Sequence, residues 1–82
     1  MAANKEEIRK WVDAGVETGA THVIIVCDRF DYDDFPVYVE KGQSVKAKLS
    51  YYQKENMYSV MEVYNLSMDI ETQMNEPRAW HL

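Results

Sequence analysis

Residues 23–39 read VIIVCDRFDYDDFPVYV, and the way this stretch divides decides the fold. It opens on an apolar run and breaks into four aspartates within seven positions, Asp28, Asp31, Asp33 and Asp34. It then resumes as an alternating run through a proline. The opening, within "THVIIVCDRF" (21–30), predicts a strand apolar on both faces, which is the pattern of a central strand. "DYDD" (31–34) predicts the loop, since aspartates accept local backbone hydrogen bonds in turns. "FPVYVEKG" (35–42) predicts the returning strand, with Val37 and Val39 alternating against Tyr38 and Glu40. Pro36 cannot donate to a ladder, so it belongs at a strand's start or on an edge, and a hairpin of one central and one edge strand satisfies this. One residue of loop length reverses which side chains share a face, so Asp28 falls beside Tyr38 or beside Val37.

Working outward, "NKEEIRKWVDAGVETG" (4–19) predicts a first helix. Asn4 with Glu7 approximates a capping box, Ile8, Trp11, Val12, Gly15 and Val16 recur at helical spacing, and Gly19 is the stop. Gly15 inside that pattern costs about 1 kcal/mol against alanine, which a close approach to a strand would explain. "SVKAKLSYYQKE" (44–55) predicts a second helix with Val45, Leu49 and Tyr52 on one side. "VMEVYNL" fits either helix or strand. A strand at about 59–66 is preferred, because one continuous helix from Ser44 to Asn75 would be too long for so small a domain. Ser67 then caps a third helix with Asp69 and Glu71 in its first turn, Pro77 ends it, and "RAWHL" is a tail.

The order αββαβα defines a small two-layer α+β domain spanning residues 1–82. A right-handed crossover through the second helix gives a three-stranded sheet in order 2-1-3. The helices lie mainly on one face, leaving the other partly open.

At 82 residues the core is modest, in the size range where an oligomer interface often helps. Nine basic against fourteen acidic residues, a net charge of −5, disfavours a DNA binder that tracks phosphates. The single cysteine, Cys27, forms no intramolecular disulfide and suits a reducing cytosol. The polar opening MAANKEEIRK is unlike a signal peptide, and the longest apolar run is far short of a membrane span.

Three constellations bear on chemistry. The four aspartates could hold a hard cation, but their spacing misses the calcium-loop pattern, and solvated turn chemistry is the preferred reading. Asp28 is the exception, since it precedes the tip and can point from the sheet towards a ligand. Cys27 and His22 lie five residues apart on one strand and so point to opposite faces, which argues for a structural thiol rather than a nucleophile–base pair. Cys27 with His22 and His81 has no zinc-ligand spacing, so neither a metal nor another cofactor is expected. The aromatics, Tyr38 and Tyr64 on strands and Trp80 beside His81 in the tail, could stack a planar base or form a dimer interface. Arg29, Lys46, Lys48 and Arg78 are the available phosphate partners.

Through "GATHVIIVCDRFDYDDFPVYV", "VMEVYNLSMDIETQ" and "RAWH", the chain resembles a family of small uncharacterised proteins encoded by tailed bacteriophages. The resemblance runs from about Gly19 to His81. It implies expression in the cytoplasm of a bacterial host and an accessory role during infection. Such a role suits a non-enzymatic, two-fold dimeric binder that sequesters a small nucleotide-like defence signal, with Asp28, Arg29, Tyr38, Tyr64, Trp80 and His81 as its ligand-binding residues. The alternative is a protein–protein inhibitor of a host factor that presents the acidic hairpin or the tail. A metal-dependent hydrolase ranks third.

Overall fold

A computed structural model describes residues 3–82, so the first two residues of the expected 1–82 domain lie outside the described residues. The elements are α1 (Lys5–Thr18), β1 (His22–Asp28), β2 (Asp33–Val39), α2 (Val45–Lys54), β3 (Tyr58–Asn65) and α3 (Ile70–Met74). This is the anticipated αββαβα order of an α+β domain. The sheet runs β2-β1-β3, and β1 is antiparallel to both neighbours. The Val-Ile-Ile-Val run takes the centre because it alone is apolar on both faces; Val23, Ile24, Ile25 and Val26 are all fully buried.

Helix ends follow local chemistry. Asn4 Oδ1 accepts from Glu7 N at 2.8 Å, and Gly19 takes the left-handed conformation (φ 82°) that closes α1. Gly15 is explained by packing. A Cβ there would meet Val23 Cγ2 at 2.9 Å, Leu66 Cδ1 at 3.0 Å and Tyr38 Cε1 at 3.2 Å, so the glycine lets α1 sit directly on the sheet. α2 is capped by Ser44, whose Oγ accepts from Ala47 N. The third cap differs from expectation. Asp69, not Ser67, accepts from Thr72 N and starts α3, while the Ser67 hydroxyl donates to Asn65 Oδ1.

The helices divide two to one. Val23, Ile25 and Tyr64 pack under Ile8 and Val12 of α1, with Ile70 and Met74 of α3 alongside. Ile24, Val26, Val37, Val39 and Val63 pack under Leu49 of α2, flanked by Phe35, Tyr52 and Tyr58. Two helices do share one face, but the expected open face is overturned: α2 covers it. A ten-residue helix suffices because the sheet is only three strands wide and Phe35, Tyr52 and Tyr58 fill the margin edge to face. The layers therefore number three, not two.

Two further features shape the edges. Between Ile25 and Val26 the β1–β3 register shifts, so that Met61 bulges out of β3. The tail then runs parallel beside β3, with Val63 N donating to Ala79 O and His81 N to Val63 O, both at 3.0 Å.

Candidate functional site

The hairpin tip has the length read from the sequence, four residues, but lies two residues earlier in the chain. β1 ends at Asp28 and β2 begins at Asp33, so the loop is Arg29-Phe30-Asp31-Tyr32 and Asp28 pairs with Asp33. Tyr38 instead pairs with Val23 at the far end of the ladder. Both expected neighbours of Asp28, Tyr38 and Val37, are therefore wrong. Alternation also puts Asp28 on the α2 side of the sheet and Tyr38 on the α1 side.

The aspartates are mostly turn and anchor groups. Asp28 Oδ1 accepts from Phe30 N at 2.8 Å and its carbonyl accepts from Tyr32 N at 2.6 Å, which braces the loop from inside. Asp34 Oδ2 accepts from Ala3 N at 2.9 Å and ties the chain before α1 to β2. The Cys27 thiol is pushed up, first by burial and then by Asp34 across the ladder. That environment disfavours a thiolate.

The remaining expected ligand residues do not converge. Arg29 donates its backbone N–H to Met57 O at 2.7 Å, stitching the tip to the α2–β3 loop. Tyr38 is half-buried and its hydroxyl donates to Trp11 O at 3.0 Å. Tyr64 is fully buried and its hydroxyl donates to Glu62 Oε1 at 2.8 Å. Burial first and that carboxylate second push the Tyr64 phenol far up. Neither tyrosine presents a free ring to solvent, because the rings that looked like a stacking platform close the α1 face of the core. Glu62 is buried with its charge satisfied, since Oε2 accepts from Ala79 N at 3.0 Å and lies 4.0 Å from Lys5 Nζ. Trp80 and His81 lie on the opposite edge of the sheet. Arg78 sits 4.4 Å over the Trp80 ring, and His81 Nε2 bonds Glu76 Oε1 at 2.6 Å.

What the tip exposes is apolar. Phe30 is 79% exposed, Tyr32 68% and Met57 56%, on two loops held together by the Arg29–Met57 bond. Tyr32 has φ 59°, a left-handed conformation that is strained for a residue with a side chain. The ring is thus held outward at a conformational cost. Asp31 and Arg29, both exposed, flank these side chains. The sequence reading passed over Phe30 and Tyr32 while attending to the acids between them. The legible signal was two large aromatics inside a turn otherwise composed of charged residues.

Two concavities flank the start of α1. One, of about 650 Å³, is lined by Glu6, Glu7, Asp33 and Asp34 with Lys10 and Trp11. The other, of about 330 Å³, has Ile8, Ile25, Met61 and Pro77 in its wall and Lys5 and Arg78 among its charges. Among the described residues, no three His, Cys, Asp or Glu side chains come together as metal ligands, and no helix is long and apolar enough to cross a membrane. Comparison with protein families, with curated proteins and with solved structures finds no match.

Proposed function

We propose that this chain is a non-catalytic interaction module that docks on a protein partner through its hairpin tip. The observation carrying this reading is the exposure of Phe30, Tyr32 and Met57 on a braced turn. Aromatic side chains dominate interface hot spots because they bury large area at low entropic cost, and a rigid turn spares the ordering that docking would otherwise require. Asp31 and the acidic balance of the chain suit a partner with an apolar recess and a basic rim. In the setting implied by the bacteriophage resemblance, that partner is a host protein of the bacterial cytoplasm. A two-fold dimer, anticipated from the sequence, would compete for this same tip, and light scattering at micromolar concentration separates the two uses.

A photo-crosslinking residue at position 30, compared with one at exposed Lys10, tests the proposal. Crosslinks to one discrete protein from position 30 alone, abolished by Tyr32→Ala, are expected. Equal yields at both positions would discard the tip as the docking face.

One observation favours the nucleotide-sequestering reading. Arg78 stacks on Trp80, and the smaller concavity beside Arg78 also carries Lys5, together with Asp34 and Glu62. Calorimetry against cyclic dinucleotides and ADP-ribose derivatives tests it, and heat that disappears in Trp80→Ala supports it. No heat with any of them removes it.

A further inference from the structure

The net charge of −5 conceals a segregation by face. Four of the nine basic residues and none of the fourteen acidic ones fall within residues 41–54, the segment that leads into and forms α2. The rest of the chain holds five basic against fourteen acidic residues. α2 is the one helix on its side of the sheet, whereas α1, with Glu6, Glu7, Asp13 and Glu17, and α3, with Glu71, lie on the other. Val45, Leu49 and Tyr52 turn inward on the sheet, which leaves Lys46, Lys54 and Tyr51 on the solvent side and Lys48 partly exposed at its margin. No ion pair engages Lys41, Lys46, Lys48 or Lys54 among the described residues.

Lys54, in the last turn of α2, suits the negative end of the helix dipole, but Lys46 and Lys48 near the start do not serve the helix. The first turn of α2 holds no acid, where α1 and α3 place glutamate, and a cation at the positive end of a helix dipole is unfavourable. Tyr51 is 55% exposed, and its ring stands at 88° to that of Tyr52 with 4.9 Å between centroids. An edge contact of this kind fixes the ring while leaving a face available. Acids across the sheet do little to offset the patch. The shortest dimension of the molecule is 20 Å, against a screening length of about 8 Å at physiological salt. On the α2 side itself the acids lie outside the helix: Glu40 and Glu55 bracket the segment at its two ends, and Asp28 and Asp33 stand at the hairpin end of the sheet.

We infer that the exposed face of α2 binds single-stranded nucleic acid, with Lys46, Lys48 and Lys54 contacting phosphates and Tyr51 stacking a base. The tyrosine decides against an acidic protein segment, which needs the lysines but has no base to stack. The same argument decides against duplex, whose bases are already stacked. At Lys54 this surface adjoins the loop that carries Met57 of the hairpin tip, but the inference does not depend on the tip's function.

The test is fluorescence anisotropy of a labelled twenty-nucleotide oligo-dT and the matching oligo-U, titrated with the intact chain between 50 and 200 mM salt. Three phosphate contacts give a slope of log affinity on log salt of about −2 for a single strand. Replacing Lys46 and Lys48 by Gln should reduce that slope to about −0.7. Tyr51→Ala should weaken binding by roughly 5- to 150-fold at every salt concentration with the slope unchanged, the range measured for losing one stacked base. Lys10→Gln, on the far face, should change nothing. The inference is overturned by absence of binding at 50 mM salt. It is equally overturned if duplex of the same length binds as well, or if poly-glutamate competes as effectively and Tyr51→Ala has no effect. These last results would assign the face to charge alone.

Discussion

Gly15→Ala is the sharpest probe of how α1 meets the sheet. On an isolated helix this change stabilises by about 1 kcal/mol, because glycine spends more backbone entropy than alanine. Here the new methyl would stand 2.9 Å from Val23 Cγ2, 3.0 Å from Leu66 Cδ1 and 3.2 Å from Tyr38 Cε1. Those three neighbours belong to β1, β2 and the segment after β3, so no single rotamer change relieves all of them. Overpacking of this kind costs about 1–3 kcal/mol. Set against the propensity gain, the net is a loss of about 1 kcal/mol, or a fall in Tm of roughly 4–8 °C for a domain this size. Thermal melts followed by circular dichroism read it directly. The closest contact also predicts coupling. In a Val23→Ala background the same Gly15→Ala change should cost less than in the wild type, since the closest of the three contacts is gone, a pairwise term of about 0.5–3 kcal/mol. If Gly15→Ala raises Tm in the wild-type background, or if the two changes add independently, the proposed close approach is wrong.

Tyr32→Gly should relieve the left-handed strain and stabilise by about 1 kcal/mol in urea unfolding, while weakening partner binding; a loss of stability would remove strain from the account. Gln73 is buried and bonds both the N–H and the C=O of Asn65 at 2.8 Å, so Gln73→Leu should cost about 1–3 kcal/mol, and an unchanged midpoint would show those groups satisfied otherwise. Asp34→Ala removes the acceptor of Ala3 N and should speed proteolysis near the N-terminus, whereas Asp31→Asn should not. The phenols of Tyr38, Tyr52 and Tyr64 are all pushed up by burial. Folded pKa values above the unfolded value of about 10 mean that their contribution is intact below pH 10 and lost as pH rises beyond it. Absorbance at 295 nm should therefore show these three phenols ionising at higher pH in the folded chain than in the urea-unfolded chain, and identical curves for the two states would contradict the burial.

Elements were legible wherever a local rule acts alone. The Asn4 cap, the Gly19 stop, the doubly apolar β1 and the edge position of Pro36 follow from short-range chemistry and were read correctly from the chain, while the choice of strand for β3, ambiguous locally, came from the helix length a small domain allows. The order 2-1-3 follows as well, since only one strand is apolar on both faces. The expectations that failed depend on something longer-ranged or on a count of one or two residues.

Whether Asp28 faces Tyr38 turned on where the four-residue loop sits, which four aspartates and two aromatics leave ambiguous, and a two-residue shift at each end moved Tyr38 to the far end of the ladder. Whether Tyr38 and Tyr64 were ligands or core turned on where α1 docks, and Gly15 allows that docking through contacts with residues 8, 23 and 51 positions away. Whether four lysines form a patch turned on which side of the sheet α2 takes, a property of the crossover and not of the helix itself. Composition averages charge over the whole chain, whereas packing assigns it to faces. Local sequence thus specified the elements and their order. Which side chains meet, which are spent inside, and which remain for a partner were decided by tertiary packing, because each depends on contacts between segments that the chain keeps far apart.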